Sequence, residues 1–208
     1  METSGKKDQR MMMWQRILTM DVHATTEVVT WLEKYLPLEQ LKIHYQLLEI
    51  SCHGLPWLII TLMLLIFEDE HFELQMNLLI GLLLDIAVIG TLKAIVKRKR
   101  PAPIDDPLAV GPDVYSFPSG HASRSAYLVY FFLRISPIAL IYIPPLLAWS
   151  FYVCMSRLLL KRHYIFDVYV GVLLGVMEGL FVHYIYLDRK TCTYAIHKVT
   201  KLFGLVGK

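Results

Sequence analysis

Pro118-Ser119-Gly120-His121 stands between two apolar runs, and the reading of this tetrapeptide decides how the rest of the chain is organised. Proline fits the first turn of a helix, because the N–H it lacks would have no intrahelical partner there. Ser119, Gly120 and His121 would then supply the free backbone N–H groups of that turn. Free donors at the positive end of a helix dipole attract an anion, and glycine lets it come close. A histidine, which titrates near neutrality, stands at the edge. Alone, such a turn is more often simply where a helix starts, so its meaning depends on what the flanking chain brings to it.

The chain has 208 residues, of which 55% are hydrophobic and 19% charged. With a mean hydropathy of +0.45, it reads as a membrane protein rather than a soluble domain. An all-α membrane domain over residues 47–187 accounts for most of the length, with a tail and amphipathic segment over 1–46 and a second tail over 188–208. The net charge of +3 is mild and arises from clusters, so nucleic acid is not an expected partner. Cys52, Cys154 and Cys192 are odd in number and two lie in apolar segments, which implies neither a disulfide framework nor a metal cluster. Residues 1–14 are polar and basic, without the apolar core of a cleaved signal peptide.

About five crossings are expected. Residues 47–67 form the first, and because the pure apolar run from Leu55 is too short, it must take in Glu49 and His53. The second, 76–96, is interrupted by Asp85 and ends at Lys93. The third starts at the Pro118–His121 turn and runs to Ile135, and the fourth, 138–160, contains Pro144-Pro145, which should kink it. The fifth, 164–187, carries Gly171, Gly175 and Gly179 at every fourth position, a close-packing face for a neighbouring helix. Residues 25–48 read as amphipathic helices on the membrane surface, broken at Pro37, after a flexible polar tail over 1–16.

Counting crossings puts the ends of the second and fourth spans and the starts of the third and fifth on one side of the bilayer. Lys93, Arg100, the Pro118–His121 turn, Arg157 and His163 then meet at one membrane face. Lys93 and Arg100 project together if the second helix continues to Pro101. Arginine offers a planar fork matched to phosphate oxygens and lysine a mobile point charge. Lys97, Arg98 and Lys99 read instead as a positive-inside anchor. His163 and Asp167 stand one helical turn apart, so Asp167 could accept from one ring nitrogen and leave the other free as a nucleophile.

Lys93 with six residues before Arg100-Pro101, then Pro118-Ser119-Gly120-His121, then Ser156-Arg157 with five residues before His163 and three more before Asp167, resembles the full signature of the type 2 phosphatidic acid phosphatase superfamily. The stretches 47–51, His53-Gly54, Pro56-Trp57-Leu58 and 115–124 are similar to its polyisoprenoid diphosphate/phosphate phosphohydrolase branch, also called presqualene diphosphate phosphatase. The resemblance covers roughly residues 47–187. It implies a metal-independent hydrolysis of polyisoprenoid diphosphates and monophosphates, with His163 as the nucleophile, Asp167 orienting it and His121 as acid and then base. Lys93, Arg100, Ser119, the Gly120 amide and Arg157 would hold the phosphate oxygens. The resemblance further implies a lipid substrate drawn from the bilayer, no cofactor, and residence in the endoplasmic reticulum and nuclear envelope. Consistent with this, Asp105 and Asp106 are loop acids without a P-loop or paired acidic motif to cage magnesium.

Other readings stand beside it. Phosphatidic acid or sphingoid phosphates would make the protein a broader lipid phosphate phosphatase. Glu49, His53, Asp85, Glu178 and His183 lie inside apolar spans and could line an ion pathway, although a polar brace between helices is the preferred reading. A catalytically silent scaffold has no chemical need for His121, His163 and Asp167 together.

Overall fold

The structure, a computed structural model, describes residues 2–102 and 111–202. It is 82% helix, with no strand among the described residues. Eight α-helices follow in order: α1 Glu2–Tyr35, α2 Leu38–Ser51, α3 Gly54–Phe67, α4 Phe72–Val96, α5 Gly120–Tyr130, α6 Ile143–Leu159, α7 Ile165–Tyr184 and α8 Arg189–Leu202. Asp105 and Asp106 lie outside the described residues.

At the centre is α5, whose residues 122–128 are all buried. Helices in lipid gain little from burying apolar surface against each other, so close approach of their backbones must hold them together. The α7 glycines provide it. A Cβ on Gly171 or Gly175 would run into the carbonyls of Ser119 or Ser123, and one on Gly179 into the Tyr130 ring. Below this seam, Leu78, Leu82, Tyr127, Leu128, Phe131 and Val182 form a buried apolar cluster.

The helices α4 and α7, of 25 and 20 residues, are long and apolar enough to cross a membrane, and the pair Ile43–Ser51 and Gly54–Phe67, bent by 45°, makes a third such element if counted as one span. The expected third and fourth crossings are shorter. The first of these is the 11-residue α5, prolonged by a π-helical turn over Phe131–Ile135, and the second is the 17-residue α6. Pro144-Pro145 does not kink α6 but begins it, standing in its first turn, where no N–H is needed. The first crossing is likewise broken where Cys52 and His53 separate α2 from α3.

The N-terminal segment departs most from the sequence reading. Instead of a tail followed by surface helices, α1 is one 34-residue helix. Among its described side chains the buried ones, Asp21, Thr25 and Val29, recur every fourth position. That stripe seats α1 against α6 and α7, with Val29 in a cluster with Ala122, Leu158 and Val168.

Candidate active site

The last turn of α4 carries Lys93, and the helix then stops at Lys97, whose φ of +52° ends it in the left-handed conformation. Arg100 is therefore not presented by a helix running on to Pro101. It reaches the site from the non-helical link, where its guanidinium donates to the Asp113 carbonyl while Lys93 Nζ meets Asp113 Oδ1 at 2.7 Å. Arg157, only 1% exposed, pairs through Nη2 with Glu49 Oε1 at 2.8 Å. Its Nε and Nη1, and Nε of Arg100, are buried without a hydrogen-bond partner among the described residues. Buried donors of this kind are expensive unless something accepts from them. These cations line one cavity of about 420 Å³ together with Gly120, His121 and His163.

His163, buried in the turn between α6 and α7, has its Nδ1 2.7 Å from the carbonyl of Ser116. A carbonyl only accepts, so Nδ1 carries the proton and Nε2 keeps its lone pair. Asp167 stands 3.9 Å from the same nitrogen, beyond hydrogen-bond reach. The expected Asp167 contact is thus replaced by a backbone acceptor, because Asp167 is engaged elsewhere. One oxygen closes the first turn of α7 by accepting from Tyr164 N at 2.9 Å, and the other takes Arg98 Nη1 at 2.5 Å. Burial, reinforced by Arg157, Arg100 and Lys93, drives the His163 pKa well below the ordinary histidine value, so the ring is neutral at neutral pH. Burial and the neighbouring Arg157 and Arg162 push Arg100 down to about 10, which leaves it charged.

The Pro118–His121 turn differs in register from the sequence reading. Helix α5 begins at Gly120 with Ser119 as its N-cap, so Pro118 lies before the cap rather than in the first turn. Ser119 is fully buried: its hydroxyl accepts from Ala122 N at 3.4 Å, and its own N–H donates to the Asp167 carbonyl at 3.0 Å. Its N–H is therefore not free, and Gly120 and His121, not Ser119, line the cavity. His121 Nε2 lies 3.1 Å from the Glu49 carbonyl.

Several residues at the site were not foreseen in these roles. Arg98, read as an anchor, is buried between Asp167 and Asp21, donating to Asp21 Oδ2 at 2.7 Å with its guanidinium 4.0 Å above the Tyr164 ring. Asp21 Oδ1 accepts from Phe166 N at 2.9 Å, and the Thr25 hydroxyl from Ile165 N at 3.0 Å, so α1 caps the head of α7. The four-residue spacing of Asp21, Thr25 and Val29 was the available signal. Glu49 and His53 both line the cavity. Among the other intramembrane ionisable groups, Asp85 Oδ2 meets Arg124 Nη2 at 2.6 Å, Glu178 accepts from Ser123 at 3.4 Å, and His183 meets the Tyr130 hydroxyl at 3.2 Å, contacts that tie helix to helix.

In comparisons with known proteins, the PAP2 superfamily model matches residues 74–191. A probable lipid phosphate phosphatase beta of Arabidopsis thaliana is 34% identical over 134 residues, half of this chain and 61% of the relative, so the chain spans less than two thirds of that protein. A decaprenylphosphoryl-5-phosphoribose phosphatase of Mycobacterium tuberculosis is 32% identical over 62% of this chain and 71% of its own length. Two crystal structures share the fold. LpxE of Aquifex aeolicus has a TM-score of 0.58 at 20% identity, with 76% of this chain and 93% of that one covered. A transmembrane PAP2 type phosphatidylglycerolphosphate phosphatase of Bacillus subtilis has a TM-score of 0.61 at 22% identity, with 84% and 89% covered. With more than half of its length matched by the family model and its cations and two histidines gathered around one cavity, this chain belongs to the PAP2 superfamily.

Proposed function

We propose that the protein is an integral membrane lipid phosphatase that hydrolyses polyisoprenoid diphosphates and monophosphates through a phosphohistidine, without magnesium. The observation that carries this reading is one cavity lined together by Lys93, Arg100 and Arg157 and by His163 and His121. A phosphoryl group bound there lies among three cations and, as charge builds on its equatorial oxygens, is stabilised most in a partly dry site.

In the first step Nε2 of His163 attacks phosphorus, forming the P–N bond as the bond to the leaving oxygen breaks. His121, as the imidazolium, passes the proton from Nε2, the nitrogen 3.1 Å from the Glu49 carbonyl, to that oxygen and is left neutral. In the second step His121 takes a proton from water, the resulting hydroxide attacks phosphorus, and the P–N bond breaks to release inorganic phosphate and regenerate both histidines. Lys93, Arg100, Arg157 and the Gly120 amide hold the oxygens. Ser119 contributes through its cap, which fixes the start of α5. Asp167 acts through Arg98 and the Tyr164 amide, fixing the turn that presents His163.

Lipid substrates fit the placement, since the cavity also has an apolar wall of Leu55 and Leu58 from α3 and Ile86 and Ile89 from α4. The names of the two curated relatives support a lipid or polyprenyl phosphate. Purified protein given farnesyl diphosphate in EDTA is expected to release phosphate. No release, or release that needs added magnesium, would sink the scheme. A second reading, a broader lipid phosphate phosphatase, draws on the name of the Arabidopsis relative, and it would require phosphatidic acid to be turned over as fast as the isoprenoid substrate. Fluorescent fusions imaged against organelle markers test residence in the endoplasmic reticulum and nuclear envelope.

A further inference from the structure

His53 and Arg124 are among the cavity residues that the mechanism does not use. His53 occupies the break between α2 and α3, and its ring lies 6.0 Å from that of His121, inclined by 62°. Its Nδ1 accepts from Leu55 N at 3.3 Å and so caps α3. A nitrogen that accepts is unprotonated, which places the N–H of the neutral ring on Nε2, the atom not used by the cap. Behind it, Arg124 lies so close to Gly54 that an added Cβ there would sit 3.2 Å from its Cζ. Arg124 holds the break through Nη1 to the Cys52 carbonyl at 3.0 Å, and its buried Nε has no partner among the described residues. Both side chains line the cavity.

Direction matters here. Attack by His163 on a diphosphate falls on the terminal phosphorus, and the leaving oxygen beside His121 then belongs to the inner phosphate, which carries the lipid tail. The apolar wall that suits the tail begins with Leu55 and Leu58, in the first and second turns of the helix that His53 caps. An inner phosphate lying between the leaving oxygen at His121 and a tail on that wall comes alongside His53 and Arg124. A monophosphate ester has no group to put there.

We propose that His53, backed by Arg124, binds the inner phosphate of a diphosphate substrate and makes the site prefer diphosphates to monophosphates of the same lipid. This rests on the isoprenoid phosphatase reading and adds a residue that selects within it. The test compares kcat/KM for farnesyl diphosphate and farnesyl monophosphate in His53→Asn and His53→Gln. Asparagine keeps an oxygen that can cap α3 but loses the distal nitrogen. Glutamine carries its amide out to about the place of Nε2.

The expected result is a diphosphate-to-monophosphate ratio at least tenfold lower in His53→Asn, with part of the preference kept in His53→Gln. A purely structural defect lowers both rates and leaves the ratio where it was, which would overturn the proposal while the phosphatase reading stood. Wild-type protein that hydrolysed neither lipid would overturn both.

Discussion

Arg157 is the residue on which the proposed chemistry most depends, because its guanidinium, paired with Glu49 on one edge, lines the cavity beside His163. Lysine keeps the charge and loses the fork. Arg157→Lys is therefore expected to cut kcat/KM on the order of a hundredfold, with a much smaller effect on melting temperature. Phosphate release and a thermal melt on the same preparation check this. His163→Ala should abolish turnover.

His163 also makes a pH prediction. Its folded pKa is depressed, so the unfolded chain binds its proton first as pH falls. The stability contributed by the neutral ring is complete above about pH 6.5 and is lost below it, and the nucleophile stays active into mildly acidic solution. Melting curves at stepped pH should show a shallower acid decline in His163→Asn than in wild type. Motif spacing made His121, His163, Lys93, Arg100 and Arg157 legible in the sequence. The acceptor for His163 Nδ1 was not, because it is a main-chain carbonyl from Ser116, 47 residues away, and any residue type could have supplied it.

Between elements, the tightest constraint is the seam of α5 and α7. Gly175→Ala pushes a methyl into the Ser123 carbonyl, and separating the helices to admit it is expected to cost roughly 1–3 kcal/mol and to lower the yield of folded protein. Gly90→Ala on α4 is the control, since nothing lies within 4 Å of a Cβ there. Size-exclusion profiles and melts of the two variants should differ accordingly. The glycine spacing disclosed this seam directly. Element ends were less legible: continuing α4 to Pro101 satisfied the spacing of Lys93 and Arg100, but a left-handed Lys97 and a link running past Ser116 deliver Arg100 instead. Asp21→Asn removes one of the two carboxylates on Arg98 and is expected to lower kcat more than KM, with Asp21→Glu recovering part of the loss.

For the whole molecule, the contact of Asp21 with Arg98 fixes α1 on the side of the bundle that carries the cavity of Lys93, Arg100 and Arg157. Cysteines placed at the exposed Thr19 and Val114 should accordingly react with a membrane-impermeant maleimide from the same side of sealed vesicles. Labelling from opposite sides would contradict the arrangement. Hydropathy disclosed the helical class and the convergence of distant motifs, but it could not place α1, whose seat depends on a narrow stripe of two polar residues and one valine. That stripe lies wholly outside residues 74–191, the part the family model matches. A trimmed protein reduced to residues 74–191 would hold the whole signature and still leave the Arg98 guanidinium short of one counter-charge and the head of α7 with two bare amides. Shared sequence and sufficient sequence are therefore different lengths of this chain.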